Sequence, residues 1–214
     1  MSAVAQQLNP LEVPDGFLEA IDLTPARQRD VETYREMLAA ANQHTNLVGA
    51  STLLDFERRH FIDCAQLVYF EREARVWADL GSGAGLPGLV LAILMRGKAG
   101  GHVHLVESMA KRCRFLADVA DRLSLPVTLH NARAEDLSLK VEVVTARACA
   151  PLPKLLSFSQ PYLARGARGL FLKGQDVDRE IEDAEKSWRF SWRAHQSLSD
   201  PRGRVIAIEG LAHV

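Results

Sequence analysis

The 214-residue chain has little cysteine. Cys64, Cys113 and Cys149 are odd in number, widely spaced and never arranged as CxxC, which excludes a disulfide framework and a cysteine-rich zinc site and suits a reducing compartment. Long hydrophobic runs are missing: the longest, Leu86 to Met95, contains Pro87 and Gly88 and is too short to span a bilayer. No basic segment followed by an apolar stretch opens the chain, so no signal peptide is read and the cytoplasm is the expected location. Charge of one sign is also lacking. Lys+Arg 26 against Asp+Glu 27 leaves −1, which excludes a wholly basic nucleic-acid-binding surface. Residues 1–75 carry 7 basic and 12 acidic side chains and residues 76–214 carry 19 and 15, so a polyanion would meet local patches in the larger part. There is no GxxxxGK[ST] phosphate loop, no GxSxG elbow, no HExxH and no His/Cys cluster at metal-ligand spacing. Neither a metal nor a membrane is expected to take part.

What is present is a change of rhythm. Residues 1–16, with Asn9-Pro10 and Asp15-Gly16, read as an irregular lead-in. Thr24-Pro25 then reads as a helix start, with Val31, Tyr34, Met37 and Leu38 at helical spacing. Leu53, Phe56, His60, Phe61, Cys64, Leu67 and Val68 form a second helical stripe. Residues 1–74 are therefore expected to be a helical extension. From residue 75 strands alternate with helices: strands at 75–80, 102–107, 126–131, 141–147, 167–174 and 204–209, and helices at 88–95, 110–123, 154–163 and 176–187. This alternation predicts an α/β domain over 75–214 with a mostly parallel sheet.

In such sheets ligands bind beyond the carboxyl ends of the strands, at the switch point after the first strand. Gly81-Ser82-Gly83-Ala84-Gly85 stands there, followed by Leu86, and Glu107 ends the next strand. Glycines admit a close backbone approach, and a carboxylate there suits the hydroxyls of a ribose. From Gly81 the loop reads GxGxG, as in S-adenosylmethionine sites; from Gly83 it reads GxGxxG, as in dinucleotide sites. The register leaves the two level, so an NAD(P)-dependent oxidoreductase stays open at this point. Arg147 and Lys173 end two further strands at the same edge, Arg147 aimed into the cleft or paired with an acid such as Glu135. Arg58-Arg59-His60 lies on the second helix, with Arg59 and Asp63 placed as an i,i+4 pair. Lys111, Arg112 and Arg114 open a helix, where positive charge opposes the helix dipole unless an anion is near. Cys149 stands where a nucleophile for methylating a pyrimidine carbon would be needed, with little beside it to form a thiolate. No (D/N)PP(Y/F) motif follows the fourth strand, so methylation of an exocyclic amine is not expected.

RHFIDC (59–64), DLGSGAGLPG (79–88), the ESMAKRCRFL stretch (107–116), ARAED (132–136), TARA (145–148) and LKGQ (172–175) together resemble, in order and spacing, the bacterial glucose-inhibited division protein B family. That family comprises S-adenosylmethionine-dependent 16S ribosomal RNA guanine-N7 methyltransferases, and the likeness covers about residues 45–175. The resemblance implies a Rossmann-like class I methyltransferase fold with an antiparallel last strand and a guanosine of the 530 loop as target. It places Gly81 and Leu86 along the cofactor, Ala134 and Glu135 at its adenine, and Arg147 in the pocket; the loop and strand-end reading adds Gly83, Gly85 and Glu107 to the cofactor set, and sets Arg147 to hold cofactor and base in register with Lys173 and His60 as candidates for the pocket rim. Arg58, Arg59, Lys111, Arg112 and Arg114 are the expected RNA contacts, and the protein is expected to meet the small ribosomal subunit or its RNA as a monomer. Other readings are a cytosine-C5 methyltransferase using Cys149 and a catalytically silent assembly factor. Glu107 stands where many members of the family carry Asp, and residues 176–203 fall outside the matched blocks.

Overall fold

The computed structural model describes residues 13–214, so Asn9-Pro10 and most of the lead-in lie outside the described residues. Gly16, in left-handed backbone at φ 75°, starts the one-turn helix α1, Phe17–Ala20. Thr24 caps α2, Pro25–Thr45, by accepting the Arg27 N–H at 3.3 Å, and Pro25 sits in the first turn as the sequence predicts. Val31, Tyr34 and Leu38 form its buried side.

The second predicted helix is three pieces. A 3₁₀ turn, Ala50–Asp55, leads into a π-helical turn, Glu57–Ile62, and then into α3, Asp63–Phe70. His60, Phe61 and Ile62 are all buried, although consecutive.

From Val76 the alternation is realised as β1 (Val76–Leu80), α4 (Gly88–Met95), β2 (His102–Val106), α5 (Ala110–Leu123), β3 (Val127–His130), β4 (Val143–Arg147), α6 (Leu152–Leu163), β5 (Arg168–Lys173), α7 (Val177–Glu185), β6 (Trp188–Gln196) and β7 (Arg204–His213). One seven-stranded sheet has the order β3-β2-β1-β4-β5-β7-β6. Strands β1 to β5 pair in parallel, and β7 runs antiparallel between β5 and β6. The antiparallel closing strand is the one expected of a methyltransferase sheet; a dinucleotide fold would close in parallel. Strand β6 corrects the sequence reading, which found only a helix in 176–203.

Two cores flank the sheet. Trp77, Val103 and Leu105 face α1 to α5, while Ala78, Leu80 and Val106 face α6 and α7. Every residue of α4 is buried. A helix apolar on all sides needs cover on all sides, and α2 and α3 supply it away from the sheet. The Tyr34 hydroxyl of α2, fully buried, donates to the Ala84 carbonyl at 2.8 Å and so ties this cover to the glycine-rich turn after β1. We expect Tyr34→Phe, which leaves that carbonyl unpaired, to lower stability by about 1–2 kcal/mol in chemical denaturation.

Candidate active site

The loop after β1 turns on glycine. Gly81 and Gly85 have φ of 70° and 88°. A Cβ on Gly81 would lie 2.7 Å from Cys149 Sγ, and one on Gly85 would lie 2.2 Å from Leu89 Cδ1, so both positions need the bare backbone. The amides of Gly81 and Ser82 donate to the Val106 carbonyl at 2.8 and 3.0 Å, which pins the loop to the end of β2. Leu86 is buried in the loop's far side. Beneath it, Asp79 Oδ2 accepts the Gly88 N–H at 2.9 Å while Oδ1 has no partner among the described residues. Burial pushes the Asp79 carboxyl up to about 7.

Glu107 follows β2 and is only 3% exposed. Its Oε2 accepts the Gly83 N–H at 2.9 Å, its Oε1 accepts the Met109 N–H at 2.8 Å, and Arg112 stands 3.7 Å away. A carboxylate offers about four acceptor positions, so two bonds leave room for a diol. The buried Ala134 lies in the 3₁₀ turn Ala134–Asp136 beyond β3, where the Tyr162 hydroxyl donates to its carbonyl at 3.1 Å; Glu135 beside it is exposed. These positions, a bare-backbone turn with a buried carboxylate at the next strand end, fit an adenosyl cofactor.

Arg147 ends β4 and reaches the helical extension. Its Nη1 donates to the Arg59 carbonyl at 3.1 Å and to Asp63 Oδ2 at 3.1 Å, and both terminal nitrogens lie 3.2 Å from His60 Nδ1. Its acid partner is therefore Asp63 and not Glu135, and Asp63 is engaged by Arg147 in place of the expected neighbour Arg59. Strand β4 points its last side chain across the sheet edge toward α3, whereas Glu135 stays in solvent. A guanidinium only donates, so His60 Nδ1 must accept, and Nε2–H donates to Thr52 Oγ1 at 2.9 Å. Thr52 in turn donates to the Gly49 carbonyl at 2.6 Å. Burial first, then the charges of Arg147 and Arg59, hold the His60 imidazole down at about 4. Directly after Arg147, Ala148 adopts φ 49°, a left-handed conformation unusual for alanine, which carries the chain over to Cys149 and the glycine loop.

Asp63 also accepts the Ser199 hydroxyl through Oδ1, and Ser199 is bonded to Ser197, which meets Gln66. This buried chain brings the 197–203 loop, between β6 and β7, to the site; sequence reasoning missed both the loop and Asp63's long-range role. Lys173 ends β5 but is held by Glu180 of α7 and by the Ala150 carbonyl at 3.1 Å. Two clefts of about 670 and 580 Å³ adjoin along Asp63, Arg147, Ala148 and Asp200. The larger is lined by Arg58, Arg59 and Arg202, the smaller by Cys149, Lys173 and Arg204. The basic residues of α5 stand apart from both: Arg112 faces Glu107, Lys111 donates to the His44 carbonyl at 3.4 Å, and Arg114 is exposed. Partial burial, then Asp79, Glu107 and Glu135, push the Cys149 thiol up, which disfavours a thiolate.

The family model for GidB, rRNA small subunit methyltransferase G, matches residues 27–204. The chain is 55% identical over 199 residues to the protein named ribosomal RNA small subunit methyltransferase G of Caulobacter vibrioides (strain NA1000 / CB15N), covering 93% of this chain and 92% of that one. It is 52% identical over 211 residues to the protein of the same name from Caulobacter sp. (strain K31), covering 99% and 95%. Among solved structures, a SAM-dependent methyltransferase from Aquifex aeolicus shares the fold with a TM-score of 0.53 at 16% identity, covering 72% of this chain and 93% of that chain.

The depressed His60 has a consequence for stability. Unfolded, an imidazole titrates near ~6.5, so between that pH and about 4 the unfolded chain binds a proton that folded His60 refuses. The contribution is fully present above ~6.5 and is lost as pH falls toward 4. His104, also held at about 4 by burial and its histidine neighbours, adds in the same sense. In denaturant melts from pH 7 to pH 4, we expect His60→Asn, which keeps an acceptor for Arg147 but cannot titrate, to lose stability less steeply than the parent chain. An unchanged slope would contradict the neutral, accepting His60.

Proposed function

The chain belongs to the rRNA small subunit methyltransferase G family, and from that premise we propose that it transfers a methyl group from S-adenosyl-L-methionine to N7 of a guanosine in the 530 loop of 16S ribosomal RNA. The observation that carries the cofactor half of this reading is Glu107, a buried carboxylate that already grips the Gly83 amide and keeps acceptor positions for the two ribose hydroxyls. The backbone of residues 81–86 would lie against the methionine end, and Ala134 and Glu135 beside the adenine. Bound there, S-adenosylmethionine supplies an electrophilic methyl group on a sulfonium.

Guanine N7 carries a lone pair and no proton, so its attack needs no general base. The chain's task is to hold N7 in line and to exclude water. An extruded or single-stranded guanosine enters the cleft beside Ala148 and Cys149. As the methyl group arrives the base gains positive charge, and a bare cation at N7 would oppose it. Arg147 is matched by the Asp63 carboxylate, so it can set the register of cofactor and base without that penalty. His60 and Lys173 act as positioning residues, one behind Arg147 and one at the rim of the smaller cleft.

We read residues 1–74 as an extension and 75–214 as the methyltransferase domain, since His60 and Asp63 of the first part complete a site on β4 of the second. The partner is the small ribosomal subunit or its RNA, met by a monomer through phosphate contacts that include Lys111 and Arg114. No helix among the described residues is long and apolar enough to cross a membrane.

Calorimetry should give binding of S-adenosylhomocysteine and none of NADH; the reverse would sink this reading. Arg147→Ala should lower methyl transfer by ~10²-fold or more through lost positioning. Cys149→Ser should leave turnover nearly intact. Loss of activity in Cys149→Ser with cofactor binding retained would point instead to a covalent route through a pyrimidine ring.

A further inference from the structure

The 197–203 loop is better built than a mere connection between two edge strands. Ser197 and Ser199 are buried, and their hydroxyls join Gln66 and Asp63 of α3. From the other side, Arg58 Nε donates to the Ser199 carbonyl at 2.8 Å, and Arg204 Nη1 donates to the carbonyls of Pro201 and Gly203 at 3.2 and 2.8 Å. The loop is thereby fixed against the π-helical turn, and the two segments wall the larger cleft. Its volume of about 670 Å³ is in the range of small-molecule sites. Exposed Arg59 projects from one wall and exposed Arg202 from the other, and the cleft runs past Arg147 and Ala148 into the one lined by Cys149, whose side chain abuts Gly81.

We propose that this cleft is the seat of the RNA backbone next to the methylated nucleotide, with Arg59 and Arg202 as the two jaws that take its phosphates. The inference rests on the proposed methyltransferase activity and adds where, and by which side chains, the RNA strand is gripped. The acids of the cleft do not oppose it. Asp63 is matched by Arg147 and Ser199, and Asp55 lies out on the exposed rim. Asp200 holds Arg202 in an exposed pair, its two carboxylate oxygens each 3.3 Å from a guanidinium nitrogen, which is long for a charge-assisted bond. Such a pair contributes little, so a phosphate can take the guanidinium over. A strand lying here would place its next base in the smaller cleft, beside Cys149 and the turn that holds the cofactor.

The test uses small ribosomal subunits from a strain lacking the methylation, with S-adenosylmethionine, and compares the parent chain with R59A/R202A, R202E and K186A/R189A. The last pair removes two exposed positive charges at the opposite edge of the sheet, where Arg189 is paired in register with Ala212. We expect KM for the subunit to rise roughly tenfold in R59A/R202A and further in R202E, with kcat changed far less, because phosphate contacts position the RNA and take no part in the reaction. The logarithmic salt slope of RNA affinity should fall by about 0.7 for each lost contact to a single strand, hence about 1.4 for the double variant. S-adenosylhomocysteine affinity should be unchanged, which also reports an intact fold, and K186A/R189A should behave as the parent. An unchanged KM and salt slope in R59A/R202A, while the parent methylates, overturns this inference alone. A parent chain that methylates no subunit RNA overturns the activity on which it rests.

Discussion

One carboxylate joins three distant parts of this chain. Asp63 accepts from Arg147 at the end of β4 and from Ser199 in the loop between β6 and β7, while itself opening α3. Removing Arg147 or Asp63 would leave a largely buried charge unmatched, a far larger penalty than the loss of a surface pair. The arrangement therefore fixes the relative position of the helical extension, the sheet edge and the late loop, and the clefts between them follow from it. His60 completes it by presenting an unprotonated nitrogen to the same guanidinium.

A second fixed point lies one strand away. Glu107 uses its carboxylate to hold the glycine loop by a backbone amide, and Asp79 holds the start of α4 in the same way. Both are carboxylates bonded to main-chain N–H groups around a turn that side chains cannot enter. Tyr34 reaches the same turn from α2, so the loop is held from the sheet and from the extension together. A site preorganised in this way can position two reactants without moving, which suits a reaction that needs alignment and dryness more than proton transfer.

Much of this was legible in the sequence, for local reasons. The cap at Thr24-Pro25, the apolar strands that run up to Gly81 and Glu107, and the amphipathic pattern of 110–123 each carry their structure within a few residues, and the helix there has the predicted bounds. The π turn was hidden because its apolar residues recur at a spacing that a regular helix shares. Strand β6 had a signal: Trp188, Phe190, Trp192 and Ala194 alternate with Arg189, Ser191, Arg193 and His195. A bulge between Arg189 and Ser191, and the exposure of this edge strand, left that signal weak. The pairing of Asp63 with Arg147 spans a separation that no spacing rule covers, and the nearer Arg59 offered a local explanation that the fold does not use. Ser197 and Ser199 look like ordinary loop residues until the loop is folded against α3.

The central claim is that alignment at a fixed edge delivers a methyl group to a ring nitrogen of guanine. The most direct measurement is transfer of an isotopically labelled methyl group from S-adenosylmethionine to small ribosomal subunits from a strain lacking the modification, followed by mass-spectrometric mapping of the labelled nucleotide. The account predicts a single 7-methylguanosine in the 530 loop of 16S ribosomal RNA. Label on a pyrimidine carbon, on an exocyclic amine, or spread over several guanosines would contradict it.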